Sequence, residues 1–114
     1  MDVRNAYKKI GADYDGVLNR LMSEALVERF VGKFLEDDSF PKLKEALAAG
    51  NAKDAFLAAH TLKGICQNLG LTNLYEPTYA ITEELRGGEM GRAPEMFPAV
   101  EEQYQAIVEA FGEE

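Results

Sequence analysis

His60 is the only histidine in this 114-residue chain. It lies in the run Ala59-His60-Thr61-Leu62-Lys63-Gly64-Ile65-Cys66-Gln67-Asn68-Leu69-Gly70. Residues three and four apart are neighbours on one face of a helix. A helix through this run therefore sets a cation, Lys63, and an empty position, Gly64, beside the imidazole. That combination suits an imidazole that is reached from outside and holds an anion.

The helical wheel separates this face from the core. Advancing about 100° per residue from His60 puts Gln67 near −20°, Phe56 near −40°, Lys63 near −60°, Gly64 near +40° and Leu57 near +60°. Leu62, Ala58, Ile65 and Leu69 fall within about 40° of the opposite side, and Ala55, Ala59 and Cys66 extend that apolar arc. A core histidine satisfied by a buried hydrogen bond would sit on the apolar stripe, and His60 does not. An ordinary exposed surface histidine remains open on spacing alone. Alternatives remain for its neighbours too. Lys63 reads as an anion holder or a solvated charge, and Gln67 as a hydrogen-bonding edge or a neutral surface residue. Phe56 reads as a docking aromatic or as a ring covered by the N-terminal segment, with the same ambiguity for Leu57. Glycine costs about 1 kcal/mol against alanine inside a helix, so Gly64 implies either an approaching partner or close packing by another helix.

The elements that position these residues are well punctuated. Asp2 to Ile10 reads as a short helix stopped by Gly11, and Tyr14 to Leu21 as another. Ser23 N-caps Glu24 to Glu36, with Glu24 at the positive end of the helix dipole. Leu26, Val27, Phe30, Val31, Phe34 and Leu35 recur there at helical spacing. Ser39 is expected to cap Phe40 to Ala49, with Pro41 in the first turn and Gly50 as the stop. Asn51 caps the His60 helix, and Asp54 can reach back in a capping box. Thr72 is expected to cap a helix ending at Arg86 and Gly87-Gly88. Pro77 falls inside that helix and either kinks it or marks its true start. The last helix begins at Pro94 or Glu95 and runs to about Phe111. Nothing reads as a strand. The expected fold is all-α, an antiparallel four-helix bundle with short additional N-terminal helices. The chain reads as one domain, 1–114, with a bundle core over about 14–111.

Composition narrows the function. The formal net charge is −8, which disfavours nucleic acid as a ligand. No apolar run approaches the length of a membrane span and no leader is evident, so the expected location is the cytoplasm. Cys66 is the single cysteine and is expected to be a packed, reduced thiol. There is no Gly-rich nucleotide loop and no kinase signature. One histidine without clustered cysteines makes no zinc site. His60 also lacks an acidic neighbour at helical spacing, so no triad is present. These observations disfavour a small helical enzyme, and neither cofactor nor metal is expected.

His60-Thr61-Leu62-Lys63-Gly64 followed by Leu69-Gly70 resembles the signature of histidine-containing phosphotransfer (HPt) domains, and the likeness extends over nearly the whole chain. The resemblance implies a phosphoryl carrier of a His–Asp phosphorelay in two-component signal transduction. His60 would accept the group from an aspartate of a response-regulator receiver domain and pass it to another. The Mg²⁺ and the catalytic aspartate would belong to the partner, and the chain would not be an enzyme in its own right. Lys63 would stabilise phosphoryl oxygens, Gly64 would clear the partner's approach, and Gln67 and Phe56 would edge the site. Expected partners are receiver domains, with a hybrid sensor histidine kinase as a further candidate, and the expected state is a monomer. The second reading is a helical adaptor that binds receivers or another helical partner without transfer. In HPt relatives an acidic or amide residue often stands near the place held here by Thr82 and helps to orient the histidine. Its absence leaves the partner of the His60 ring open.

Overall fold

The computed structural model describes residues 2–112. They form α1 (Val3–Lys9), α2 (Tyr14–Leu21), α3 (Glu24–Glu36), α4 (Ser39–Ala48), α5 (Ala52–Asn68), α6 (Thr72–Leu85) and α7 (Ala93–Gly112), and among the described residues there is no strand. Helices α4, α5, α6 and α7 pack in sequence, and α7 closes back on α4. Short turns at 49–51 and 69–71 join the first three, so these neighbours run antiparallel. The result is a four-helix bundle with α1, α2 and α3 added before it.

The two turns that flank α5 fix its ends. Gly50 and Gly70 adopt positive φ, 71° and 64°. At the end of α5, Gly70 N–H donates to Gln67 O and Leu71 N–H to Cys66 O, the pairing of a Schellman motif. A Cβ on Gly70 would lie 2.8 Å from a Val17 methyl and 2.9 Å from Asp13 O, so close approach by α2 adds to the demand for glycine. Arg20 Nη2 reaches across from α2 to Asn68 O at 2.9 Å and Gln67 O at 3.2 Å. It adds a donor to the last carbonyls of the helix and places a cation at the negative pole of the dipole. The Tyr7 hydroxyl donates to Leu69 O at 2.8 Å, Asp13 N–H to Gly70 O at 3.0 Å, and Asn73 Nδ2 to Ile10 O at 2.9 Å. The N-terminal helices thus pin the α5–α6 turn.

At the other end of α5, Asn51 Oδ1 accepts from Asp54 N–H at 3.1 Å. The Asp54 carboxylate returns to the Asn51 side-chain amide at 2.8 Å rather than to its backbone. The reason is that Asn51 N–H already donates to Ala46 O, completing the turn out of α4.

The core is partly aromatic. Phe40 stacks on Tyr104 with centroids 3.9 Å apart, and on Phe97 at 5.4 Å, while Phe34 meets Tyr104 at 5.7 Å. Tyr7 joins Tyr14 and Phe111 at 5.4 and 5.6 Å. On α5 the buried set is Ala52, Ala55, Ala58, Ala59, Leu62 and Cys66. Four of these are alanines, which let neighbouring helices approach closely.

Several expectations need correction. Ser39 is the first residue of α4 rather than its cap; Asp38 holds that position, and Asp37 Oδ2 accepts the Ser39 N–H at 2.9 Å. Thr72 likewise lies inside α6, with Leu71 before it, and its hydroxyl bonds back to Gly70 O at 3.3 Å. Helix α6 runs unbroken through Pro77, and α7 carries Pro98 in the same sixth position. Each proline leaves one carbonyl four residues earlier without its helical donor, yet lies close enough to the helix start for the helix to continue. On α3, Val27, Val31 and Phe34 are buried but Leu26 and Phe30 are exposed, because only one edge of that helix meets the bundle.

Candidate functional site

His60 is exposed on α5, on the face away from the buried stripe. Lys63 and Gly64 stand beside it, one turn towards the C-terminus, and both are half-buried. A Cβ built on Gly64 would have nothing within 4 Å. No helix of the bundle approaches it, so close packing does not account for the glycine. The space beside His60 is open to an incoming molecule.

The Lys63 ammonium does not stretch into solvent. It lies over the Tyr79 ring of α6, 5.6 Å from the centroid, which restricts a side chain that is otherwise rich in rotamers. Tyr79 in turn stacks with Tyr75 at 6.0 Å. Phe56, one turn before His60, is half-buried and packs against the hydrophobic core. Its ring stacks on the imidazole with centroids 5.8 Å apart and planes 20° from parallel. The Arg86 guanidinium of α6 lies over the same phenyl ring at 5.2 Å. Gln67 is exposed on the same stripe as His60, and its backbone carbonyl serves Arg20. Leu57 is 54% exposed and lines the groove between α4 and α5 with Ala58 and Thr61.

Thr82 contributes nothing polar to the imidazole. It is fully buried, and its hydroxyl donates to Thr78 O at 2.6 Å, within its own helix. The Thr78 hydroxyl is buried too and has no hydrogen-bond partner among the described residues. No hydrogen bond to the His60 ring occurs among the described residues either.

Reading α5 alone misses the contribution of α6. Tyr79 and Glu83 on that helix and Arg86 at its C-cap, which keeps helical φ/ψ, are exposed at i, i+4 and i+7, so they share one face. Glu83 Oε2 accepts from Arg86 Nη2 at 2.7 Å and from Nε at 3.0 Å. This fork holds the Glu83 carboxyl below the usual carboxylate range, with the Lys63 charge adding to the effect. The i, i+4, i+7 spacing was available in the sequence, but nothing in it gave the register of α6 against α5.

Cys66 lies beneath the site, fully buried, and burial pushes its thiol up to about 12. It stays protonated and takes no part in the exposed chemistry. Among the described residues no three His, Cys, Asp or Glu side chains group as a metal site, and no helix is long and apolar enough to cross a membrane.

The site is thus an exposed imidazole with a tethered cation and a clear approach. Comparison with the curated proteins and with the solved structures yields no match. The family model of the Hpt domain matches residues 26–110. Hpt domains are helical bundles that carry phosphoryl groups on histidine in phosphorelay signalling and interact with receiver domains and kinases. Since the match runs from α3 almost to the end of α7, over most of the chain, the protein belongs to the Hpt domain family.

Proposed function

We propose that His60 is the phosphoacceptor, taking a phosphoryl group from a receiver-domain aspartate and giving it to another. The observation that carries this reading is the exposed, lone imidazole beside the open space over Gly64. In the forward step a ring nitrogen attacks phosphorus, the N–P bond forms, and the P–O bond to the aspartate breaks. The reverse step, to a second aspartate, restores the free imidazole. The Lys63 ammonium swings from the Tyr79 face to the phosphoryl oxygens as a point charge. Gly64 admits the partner's surface, and Gln67 borders it. The metal and the aspartate come from the partner, so the chain acts as a carrier rather than a complete enzyme.

The test is transfer from a radiolabelled, phosphorylated receiver domain to the purified protein. The wild type is expected to gain an acid-labile, base-stable label and His60→Gln none. Binding of receivers without label would instead favour an adaptor.

A further inference from the structure

The His60 ring is exposed and lacks any hydrogen bond among the described residues, so something else must set its orientation. The two ring nitrogens are chemically distinct. In-line attack on phosphorus needs one of them aimed at the incoming group. The contact that fixes the ring plane is the stack on Phe56, at 5.8 Å and 20°. Phe56 is held in its turn by the Arg86 guanidinium, 5.2 Å from the phenyl centroid. Arg86 is held by the two-pronged bond to Glu83, at 2.7 and 3.0 Å.

Each link restricts a plane or an angle: carboxylate fork to guanidinium, guanidinium to phenyl face, phenyl to imidazole. Phe56 also packs against the hydrophobic core, but the Glu83–Arg86 link contributes little to folding, because both residues are exposed and exposed ion pairs add little stability. An ordered series of surface contacts that ends on the reactive ring calls for an explanation other than packing.

We infer that Phe56, Arg86 and Glu83 form a positioning clamp that holds the plane of the His60 imidazole, so that the ring meets the phosphoryl group at one angle in every transfer. The purpose of the clamp rests on the carrier reading; its geometry does not. None of the three residues touches the reacting atoms, and all act through the imidazole ring.

Because His60 is the only histidine, its ring protons give an unambiguous NMR signal and its phosphorylated nitrogen is identified directly. The experiment compares wild type, Arg86→Ala, Arg86→Lys, Phe56→Leu and Phe56→Tyr. Each is observed first unmodified, then after labelling by phosphoramidate, a small donor that needs no receiver, and by a phosphorylated receiver. In the wild type the ring protons are expected to be displaced by the phenyl ring current. In Arg86→Ala and Phe56→Leu the resonances move towards those of free imidazole. Transfer from the receiver slows about tenfold, the scale of a misaligned reacting group. Phe56→Tyr restores the wild-type pattern and Arg86→Lys restores part of it, with the melting temperature of the Arg86 variants unchanged.

Wild-type labelling together with unmoved resonances and an unchanged rate of transfer in both disruptive variants overturns the clamp alone. A wild type that takes no phosphoryl group from either donor overturns the carrier reading and, with it, the clamp's purpose.

Discussion

Ala59 and His60 are consecutive residues, about 100° apart around α5, yet they meet different surroundings. Ala59 is wholly buried against the bundle and His60 stands in solvent. The contrast extends along the helix. Inward lie Ala55, Ala58, Ala59, Leu62 and Cys66, small or apolar, packed against neighbouring helices. Outward and to the sides lie Phe56, His60, Lys63, Gly64 and Gln67, none fully buried. The inward side chains gain their stability from burial, so their loss should be felt in folding. The outward ones gain little from burial, and their loss should be felt in chemistry. A helix can hold both sets because about 100° separates successive side chains.

Breaking the inward face should have the larger effect on folding. Ala59→Leu overfills a position with no exposed surface, and overpacking costs about 1–3 kcal/mol. The melting temperature should fall by about 5–15 °C. Below the transition, labelling per folded molecule should stay close to wild type. A normal melt would show that the inward face is looser than its burial suggests.

Two substitutions sharpen the outward face. Gly64→Leu should fold normally, since nothing lies within 4 Å of the added Cβ. It should take label from phosphoramidate as the wild type does, and from a receiver about tenfold more slowly, because only the larger donor is obstructed. Equal rates from both donors would remove the steric role of the glycine. Gly64→Ala should gain about 0.5–1 kcal/mol in chemical denaturation. Lys63→Ala should slow transfer or shorten the phosphohistidine lifetime several-fold, by loss of one charge from the transition state. An unchanged time course would leave the lysine as a tether to Tyr79 and nothing more.

Cys66 should show the smallest effect. Burial raises the pKa of the folded thiol from its ordinary value of 9.0 to about 12. The neutral thiol is therefore favoured in the fold. Its contribution to stability is complete below about pH 9 and is lost as pH rises towards 12. At pH 8 a disulfide reagent should react slowly with native protein and rapidly in denaturant. Fast native reaction would mean that the inward face opens readily.

Much of this was legible in the sequence. The α5 wheel places His60 opposite Leu62 and Ile65, and every helix is present within a residue or two of its expected span. Local signals misled where tertiary contacts intervened. Ser39 and Thr72 have the right side chains for caps, but each helix begins one residue earlier; Asp38 stands at the cap of α4, and the Asp37 carboxylate accepts the Ser39 N–H. Leu26 and Phe30 fit the helical period of α3 yet lie outside, since the period does not say how wide the covered stripe is. The α6 half of the site, Tyr79 over Lys63 and Arg86 over Phe56, depends on the register between two helices. No spacing within either helix encodes that register.

The most direct test of the two-faced account treats His60→Gln and Leu62→Ala side by side, with receiver-driven labelling and thermal melts on both. His60→Gln should take no label and melt like the wild type, because exposed substitutions shift stability by only about 0.5 kcal/mol. Leu62→Ala, at a position 1% exposed, should lose about 2–5 kcal/mol of stability yet still take label while folded. A labelled His60→Gln, or one whose melting temperature collapses, would contradict the assignment of chemistry to the outward face.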